Sequence, residues 1–272
     1  MSNQGTIGGP LLEVEDITLR FGGVTAIDGV SFHVNPGELF AIIGPNGAGK
    51  TSVFNSISQV YRPQEGDIRY KGESIMGKRP DAVARLGIAR TFQNIALFGQ
   101  MTVIDNILTG RHIQMHESWF AGMKWFGAAK KEEMANRARV EDIIDFLEIQ
   151  AWRKYPVALL PYGIQKRVEL GRALAMDPDL LLLDEPVAGM NLEETEDMAR
   201  FILDIRSELG ISMILVEHDM GLVMDIADRI LVVDFGKPIG TGYPDEVQAN
   251  PDVIAAYLGE DFSADAGSAA GF

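Results

Sequence analysis

No cysteine occurs among the 272 residues, so disulfides and thiolate-held metals are excluded. Long apolar runs are also missing. None approaches the roughly 20 residues that a bilayer-spanning helix needs, so any association with a membrane has to pass through a partner. Met1 to Gly9 is polar and glycine-rich, and no secretory leader is expected there. Positive charge is scarce: 24 Lys and Arg stand against 39 Asp and Glu, a formal net charge of −15. Such a balance is unsuited to general binding of nucleic acid or of anionic lipid, both of which reward basic faces. Apolar residues make up 46% and charged residues 23%, as in ordinary globular chains. The length suffices for one large domain or two lobes with an ample core.

What is present is led by the segment Gly44-Pro45-Asn46-Gly47-Ala48-Gly49-Lys50-Thr51, which fits the phosphate-binding pattern G-x-x-x-x-G-K-[ST]. The apolar run Leu39-Phe40-Ala41-Ile42-Ile43 precedes it and reads as a buried strand. Ser52 to Ile57 follows and can continue as a helix. Glycines permit backbone angles closed to other residues, so N–H groups can approach an anion at the positive end of that helix. Lys50 would reach the β- and γ-phosphates of a nucleotide, and the Thr51 hydroxyl would hold Mg²⁺.

Around this segment the patterning changes along the chain. Leu11 to Arg20 and Val30 to Val34 alternate as half-buried strands, and Asp67 to Tyr70 follows the turn signal Pro63-Gln64-Glu65-Gly66. From about Val103 to Leu159 the spacing is helical. It is clearest over Ala129 to Leu147, where Met134, Ala138, Val140, Ile143, Ile144 and Leu147 form an apolar face. An aromatic run, Trp119 to Phe126, reads as core packing of a helical hairpin or, alternatively, as a docking surface for a membrane partner. Leu180 to Leu183, Ser212 to Val216 and Ile230 to Val233 read as buried parallel strands. Helices are predicted between them, over Lys166 to Met176, Leu192 to Leu209 and Gly221 to Ala227. Alternation of this kind implies a parallel α/β sheet covered on both faces. Gly259 to Phe272, rich in Ala, Gly, Ser and Asp, reads as a mobile tail.

Ligands of open parallel sheets sit at the carboxyl ends of the strands. Leu180 to Leu183 runs into Asp184-Glu185-Pro186. Asp184 there would hold Mg²⁺ directly or through water, and Glu185 would be the base that orients and polarises an attacking water. His218, two residues beyond Val216, ends a third strand on the same edge and reads as a γ-phosphate contact. Gln93, in Arg90-Thr91-Phe92-Gln93-Asn94, stands where the strand-rich part gives way to the helical part. Leu160 to Leu170 opens a helix, with Pro161 near its start.

Taken in order, these residues resemble the ATP-binding subunits of ABC transporters over nearly the whole chain. Gly44 to Thr51 is similar to the Walker A motif and Gln93 to the Q-loop. Leu160 to Gln165 resembles the signature motif, Leu180 to Glu185 Walker B, and Val187 to Asn191 the D-loop. His218 falls at the switch histidine, and Phe21 at the aromatic that stacks on adenine. Arg90 to Asn94 with Leu97-Phe98 and Met101-Thr102-Val103, the long insert after Arg111-His112, and the ending Ala256-Tyr257-Leu258-Gly259 resemble the branched-chain amino acid importer branch, in particular its larger ATPase subunit.

The resemblance implies an α/β P-loop NTPase fold with a RecA-like core, an antiparallel β subdomain and a helical subdomain. It places a flexible start at 1–10, the ATPase domain at 11–258 with helices over about 96–175, and a flexible tail at 259–272. ATP and Mg²⁺ are the implied cofactors. Gly44, Pro45, Asn46, Gly47, Ala48, Gly49, Lys50, Thr51 and Ser52 would cradle the phosphates, and Thr51, Gln93 and Asp184 would face the metal. Glu185, His218 and Gln93 would serve hydrolysis. Leu160, Pro161, Tyr162 and Gly163 would act on the ATP of a second ABC ATPase subunit, identical or different, in a head-to-tail dimer.

The further partners implied are two transmembrane permeases and, indirectly, an external solute-binding protein, with the chain peripheral on the cytoplasmic face of the inner membrane and no nucleic acid bound. Related branches handle urea and other small solutes or export lipid, and non-transport relatives act on DNA or ribosomes. In the signature segment Pro161 replaces the usual Ser and Ile164 the usual Gln. The expected consequence is an unequal pair of sites, with the partner's site weakened and this chain's own intact, unless tight helix-start geometry compensates.

Overall fold

The computed structural model describes residues 9–92, 95–112 and 128–257, with side chains at 128–131 undescribed. Two sheets organise the chain. β1 (Leu12–Phe21) pairs antiparallel with β2 (Val24–Val34) on one side and β4 (Glu65–Tyr70) on the other, and β5 (Glu73–Ser74) extends that sheet. The second sheet has β3 (Leu39–Ile43) at its centre, parallel to β8 (Ser212–Val216) and β9 (Arg229–Asp234). β7 (Leu180–Asp184) lies beyond β8, and β6 (Ile88–Arg90) closes that side, both parallel. β10 (Lys237–Gly242) adds an antiparallel edge strand next to β9.

β3, β7 and β8 are buried at every position, as apolar runs between two covering layers must be. The period-2 geometry of a strand sends neighbouring side chains to opposite faces, and the core divides accordingly. Leu39, Ala41, Ile43, Leu181, Leu183, Met213 and Leu215 join the helical side. Phe40, Ile42, Leu180, Leu182, Ile214 and Val216 join the side formed by the antiparallel sheet and α1 (Lys50–Ile57). There the rings of Phe32 and Phe40 stack with centroids 5.1 Å apart, a contact worth about 0.5–1.5 kcal/mol beyond the area it buries.

α2 (Pro80–Arg85) leads into β6, and α3 (Val103–Arg111), α4 (Ala128–Phe146) and α5 (Tyr162–Leu174) pack together. α6 (Leu192–Leu209) and α7 (Met220–Ile226) separate β7, β8 and β9, and α8 (Pro244–Gln248) follows β10. α6 is punctuated at both ends. Asn191 and Glu194 form a reciprocal capping box, and Gly210 ends the helix in the left-handed region.

Most of the expected elements are present, with displacements that have physical causes. α5 starts at Tyr162, within the helix opening expected over Leu160 to Leu170 and ahead of Lys166, with Pro161 at its N-cap. The expected apolar face of α4 fails in its first half: Met134 is 62% exposed and Ala138 is exposed. Of that face, Val140, Ile143, Ile144 and Leu147 reach the core, and the buried side chain among those described in the first half is polar Asn136, held by Arg111 Nε at 3.0 Å. The run Trp119–Phe126 and the tail 259–272 lie outside the described residues.

Candidate nucleotide site

Register places the chemistry at one edge. Ile42 and Asp184 both pair with Val216, so the carboxyl ends of β3, β8 and β7 lie side by side, roughly 5 Å from strand to strand. The loop after β3 therefore opens beside Asp184 and beside the Glu217-His218 pair that follows β8.

Two glycines make that loop possible. Gly44 has φ +151° and Gly49 φ +105°, and a Cβ would lie 1.9 Å from the Val233 carbonyl oxygen at the first and 2.5 Å from that of Ala26 at the second. The loop is thus pressed against β9 and β2, and Gly236 N donates to Ala48 O at 2.9 Å from the β9–β10 turn. Lys50 is buried, and its Nζ donates to the carbonyls of Gly44 at 2.5 Å and Pro45 at 2.9 Å. Asn46, Gly47 and Thr51 are exposed, and Ser52 is half-buried. α1 has no side-chain N-cap and no acidic residue in its first turn. Its leading N–H groups and positive dipole end thus meet no competing carboxylate of the helix itself.

Asp184 is 2% exposed. Its Oδ2 accepts from Arg90 Nη2 at 2.7 Å, whereas Oδ1 has no hydrogen-bond partner among the described residues. An orphaned buried carboxylate oxygen on the same sheet edge as the phosphate-binding loop fits a hard, oxygen-liganded divalent cation. Glu185, at φ +48°, is turned out of the strand, and its N–H is fixed to Val216 O at 2.9 Å. A non-glycine residue at positive φ is strained, and here the strain falls on the predicted base.

Glu217 was not singled out by sequence, yet it is fully buried. It accepts from Val187 N at 3.0 Å and His218 N at 3.1 Å. Burial pushes its carboxyl above the ordinary range, the two N–H groups and the His218 charge pull it back, and Glu185 pushes it up again. His218 itself is exposed, its Nδ1 3.8 Å from Glu217. Arg90 and Glu169 were missed as well. Glu169 is buried on α5 and accepts from Phe92 N at 3.3 Å, and its carboxyl is raised by burial against the pull of Lys166, the Phe92 N–H, Arg172 and the Ala96 N–H. Neither carried a clear local signal: β6 has only three residues, and the helical neighbours of Glu169 include Gln165, Lys166 and Arg172.

Phe21 ends β1, half-exposed, its ring edge-to-face with that of Tyr61, which follows α1, with centroids 5.0 Å apart. Leu160 is buried and Pro161 exposed. Tyr162 donates its hydroxyl to Ala188 O at 3.1 Å, and a Cβ on Gly163 would lie 2.5 Å from Glu194 Oε1. Tyr162 and Gly163 therefore pack beside the segment that follows β7 and the start of α6. Gln93 falls outside the described residues.

A phosphate loop, a buried strand-end carboxylate and a parallel sheet with the loop strand at its centre define a P-loop nucleotide-binding protein. Residues 27–188 match the family described as ABC transporter, and residues 237–263 match the one described as branched-chain amino acid ATP-binding cassette transporter. The chain belongs to the ABC transporter ATP-binding cassette family and is an ATPase.

It is 41% identical over 251 residues to the high-affinity branched-chain amino acid transport ATP-binding protein BraF of Pseudomonas aeruginosa, covering 92% of this chain and 98% of that protein. It is likewise 41% identical over 254 residues to LivG of Escherichia coli, with the same coverage. Among solved structures, an ATP-binding cassette of an ABC transporter in its ADP conformation superposes with a TM-score of 0.80 at 31% identity, over 92% of this chain and 99% of that one. A nucleotide-free cassette superposes with a TM-score of 0.79 at 31% identity and the same coverage. Among the described residues, no helix is long and apolar enough to cross a membrane.

Proposed function

We propose that this chain is an ATP-hydrolysing subunit that drives import of branched-chain amino acids. Its partners are a second cassette and two permeases at the cytoplasmic face of the membrane, served by an external binding protein. The observation that carries the nucleotide chemistry is the convergence of Lys50, Asp184, Glu185 and His218 on one sheet edge. The cargo assignment rests on the likeness to BraF and LivG.

Within that reading, the N–H groups of Asn46 to Ser52 and the Lys50 ammonium bind the phosphates, in the loop shaped by Gly44 and Pro45. Thr51, Asp184 and Gln93 would hold Mg²⁺, which when bound neutralises charge on the β- and γ-phosphate oxygens. Glu185 orients and polarises the attacking water, and His218 donates to the γ-phosphoryl group. Phe21 stacks on adenine. Leu160 to Gly163 face the ATP held by the second subunit, so each site is completed across the pair. Pro161 supplies neither a hydroxyl nor an N–H, which makes the partner's site the weaker of the two.

Glu185→Gln tests the assignment. Positioned base catalysis contributes about 10²–10⁴ in rate, or about 3–5 kcal/mol. The variant is expected to keep ATP affinity and lose hydrolysis by at least that lower factor, read by nucleotide titration and phosphate release. Near-native turnover would reject the role. Recovery from membranes with two distinct permeases is the expected result for transport, and recovery with ribosomes or DNA would refute it.

A further inference from the structure

Arg90, the last residue of β6, touches three parts of the site at once. Its Nη2 donates to Asp184 Oδ2 at 2.7 Å. Its Nη1 donates to Asn55 Oδ1 at 2.7 Å and Ser58 Oγ at 3.3 Å, on and just after α1, the helix that starts at the phosphate loop. Its guanidinium lies over the Phe54 ring at 5.6 Å and the Phe92 ring at 5.5 Å. The Arg90 side chain is 12% exposed and that of Asp184 2%. A buried carboxylate with no partner is costly, and a planar fork held at both ends gives it one fixed partner on one oxygen.

We propose that Arg90 is a positioning residue for the divalent cation. It occupies Asp184 Oδ2, is itself anchored by Asn55 and Ser58, and so reserves the unpaired Oδ1 for the cation or a water bound to it. This rests on the nucleotide reading above. Arg90's positive charge opposes a nearby cation, but loss of orientation dominates, because removing it frees the carboxylate to turn in a buried site. Arg90 also joins the helix that begins at Lys50 to the strand that ends at Asp184, so phosphate and metal contacts keep a fixed spacing.

The readout is the gain in ATP affinity on adding magnesium, measured by titration with and without the ion in the full chain. Partners that orient a metal ligand are worth about 10- to 100-fold in metal affinity. Arg90→Gln is expected to lose that much of the magnesium-dependent gain while metal-free ATP affinity, made by the loop, changes by no more than about twofold. In an Asp184→Asn background, Arg90→Gln should cost nothing further, because its effect passes through that carboxylate.

Asn55→Ala removes one anchor and is expected to lower the gain several-fold, and it carries the test if Arg90→Gln does not fold. An unchanged gain in either folded variant overturns the proposal. So does a matching fall in metal-free affinity, or an undiminished loss in the Asp184→Asn background. A native chain that binds ATP with no magnesium-dependent gain would refute the magnesium assignment and the proposal with it, and a native chain that does not bind ATP would instead refute the nucleotide reading itself.

Discussion

Replacing Gly49 by alanine tests whether the phosphate loop owes its shape to close backbone packing, and Gly72→Ala is the matched control. Both glycines have positive φ, +105° and +81°. At Gly72, in the turn between β4 and β5, an added Cβ meets nothing within 4 Å. At Gly49 it lies 2.5 Å from the Ala26 carbonyl oxygen and 3.5 Å from Gly236 Cα.

Alanine at positive φ costs about 1–2 kcal/mol, partly offset by about 0.4–1 kcal/mol from a stiffer unfolded chain. Gly72→Ala should therefore cost about 1 kcal/mol. An ordinary carbon–oxygen contact is no shorter than about 3.3 Å, so at Gly49 something must yield by about 0.8 Å, and overpacking of this kind costs about 1–3 kcal/mol more. The opposing atom is main chain and cannot rotate aside. Around it, Asp28 N→Gly236 O at 2.8 Å and Gly236 N→Ala48 O at 2.9 Å tie β2, the β9–β10 turn and the loop together.

Urea unfolding should show Gly49→Ala to be about 1–3 kcal/mol less stable than Gly72→Ala. Displacement of the loop should weaken ATP binding by about tenfold or more, and Gly72→Ala should leave it unchanged. Equal destabilisation by the two substitutions, together with native ATP affinity in both, would refute the packing argument.

Other outcomes follow from single contacts. Glu169 titrates above its ordinary 4.5, so the folded chain binds its proton more tightly than the unfolded chain. The stability it contributes is present below about 4.5 and is lost as pH rises through the raised value. Native stability relative to Glu169→Gln should fall as pH rises above 4.5, and urea midpoints that diverge the other way would count against it. Asn191→Ala removes the capping box of α6 and should cost about 0.5–2 kcal/mol in urea unfolding. Pro161→Ser gives α5 a side-chain cap it lacks, adding about 1 kcal/mol or less to stability. In a mixed pair it should raise turnover at the partner's site, measured with this chain's own site blocked by Glu185→Gln. Turnover unchanged by Pro161→Ser would mean that the helix start already compensates.

β3, β7 and β8 were legible because each is an unbroken apolar run that ends in a chemically distinctive residue or loop. β10 was not, because Pro238, Gly240 and Gly242 are poor strand formers and only the antiparallel edge beside β9 recruits them. β6 has three residues, too few for any period to show. Arg90 was visible only as a letter in a motif. Its bridging role depends on the Arg90–Leu182 pairing of β6 with β7, a long-range register that local pattern does not contain. Glu217 carried no local signal, and its partner, the Val187 N–H, comes from the segment that follows the neighbouring strand β7. The half-exposed α4 shows the opposite error, an apolar period that continues past the surface it has to cover.

The even division of β3, β7 and β8 between two cores bears on how the chain loses activity. Their amides are buried between the helical and antiparallel layers, so hydrogen exchange there requires opening of both layers, close to global unfolding. Strands that carry the chemistry are then the last to open on heating, and nucleotide binding should vanish together with the fold rather than ahead of it. Fraying should begin at β10 and α8, and a protease that trims that edge would leave the catalytic strands in place.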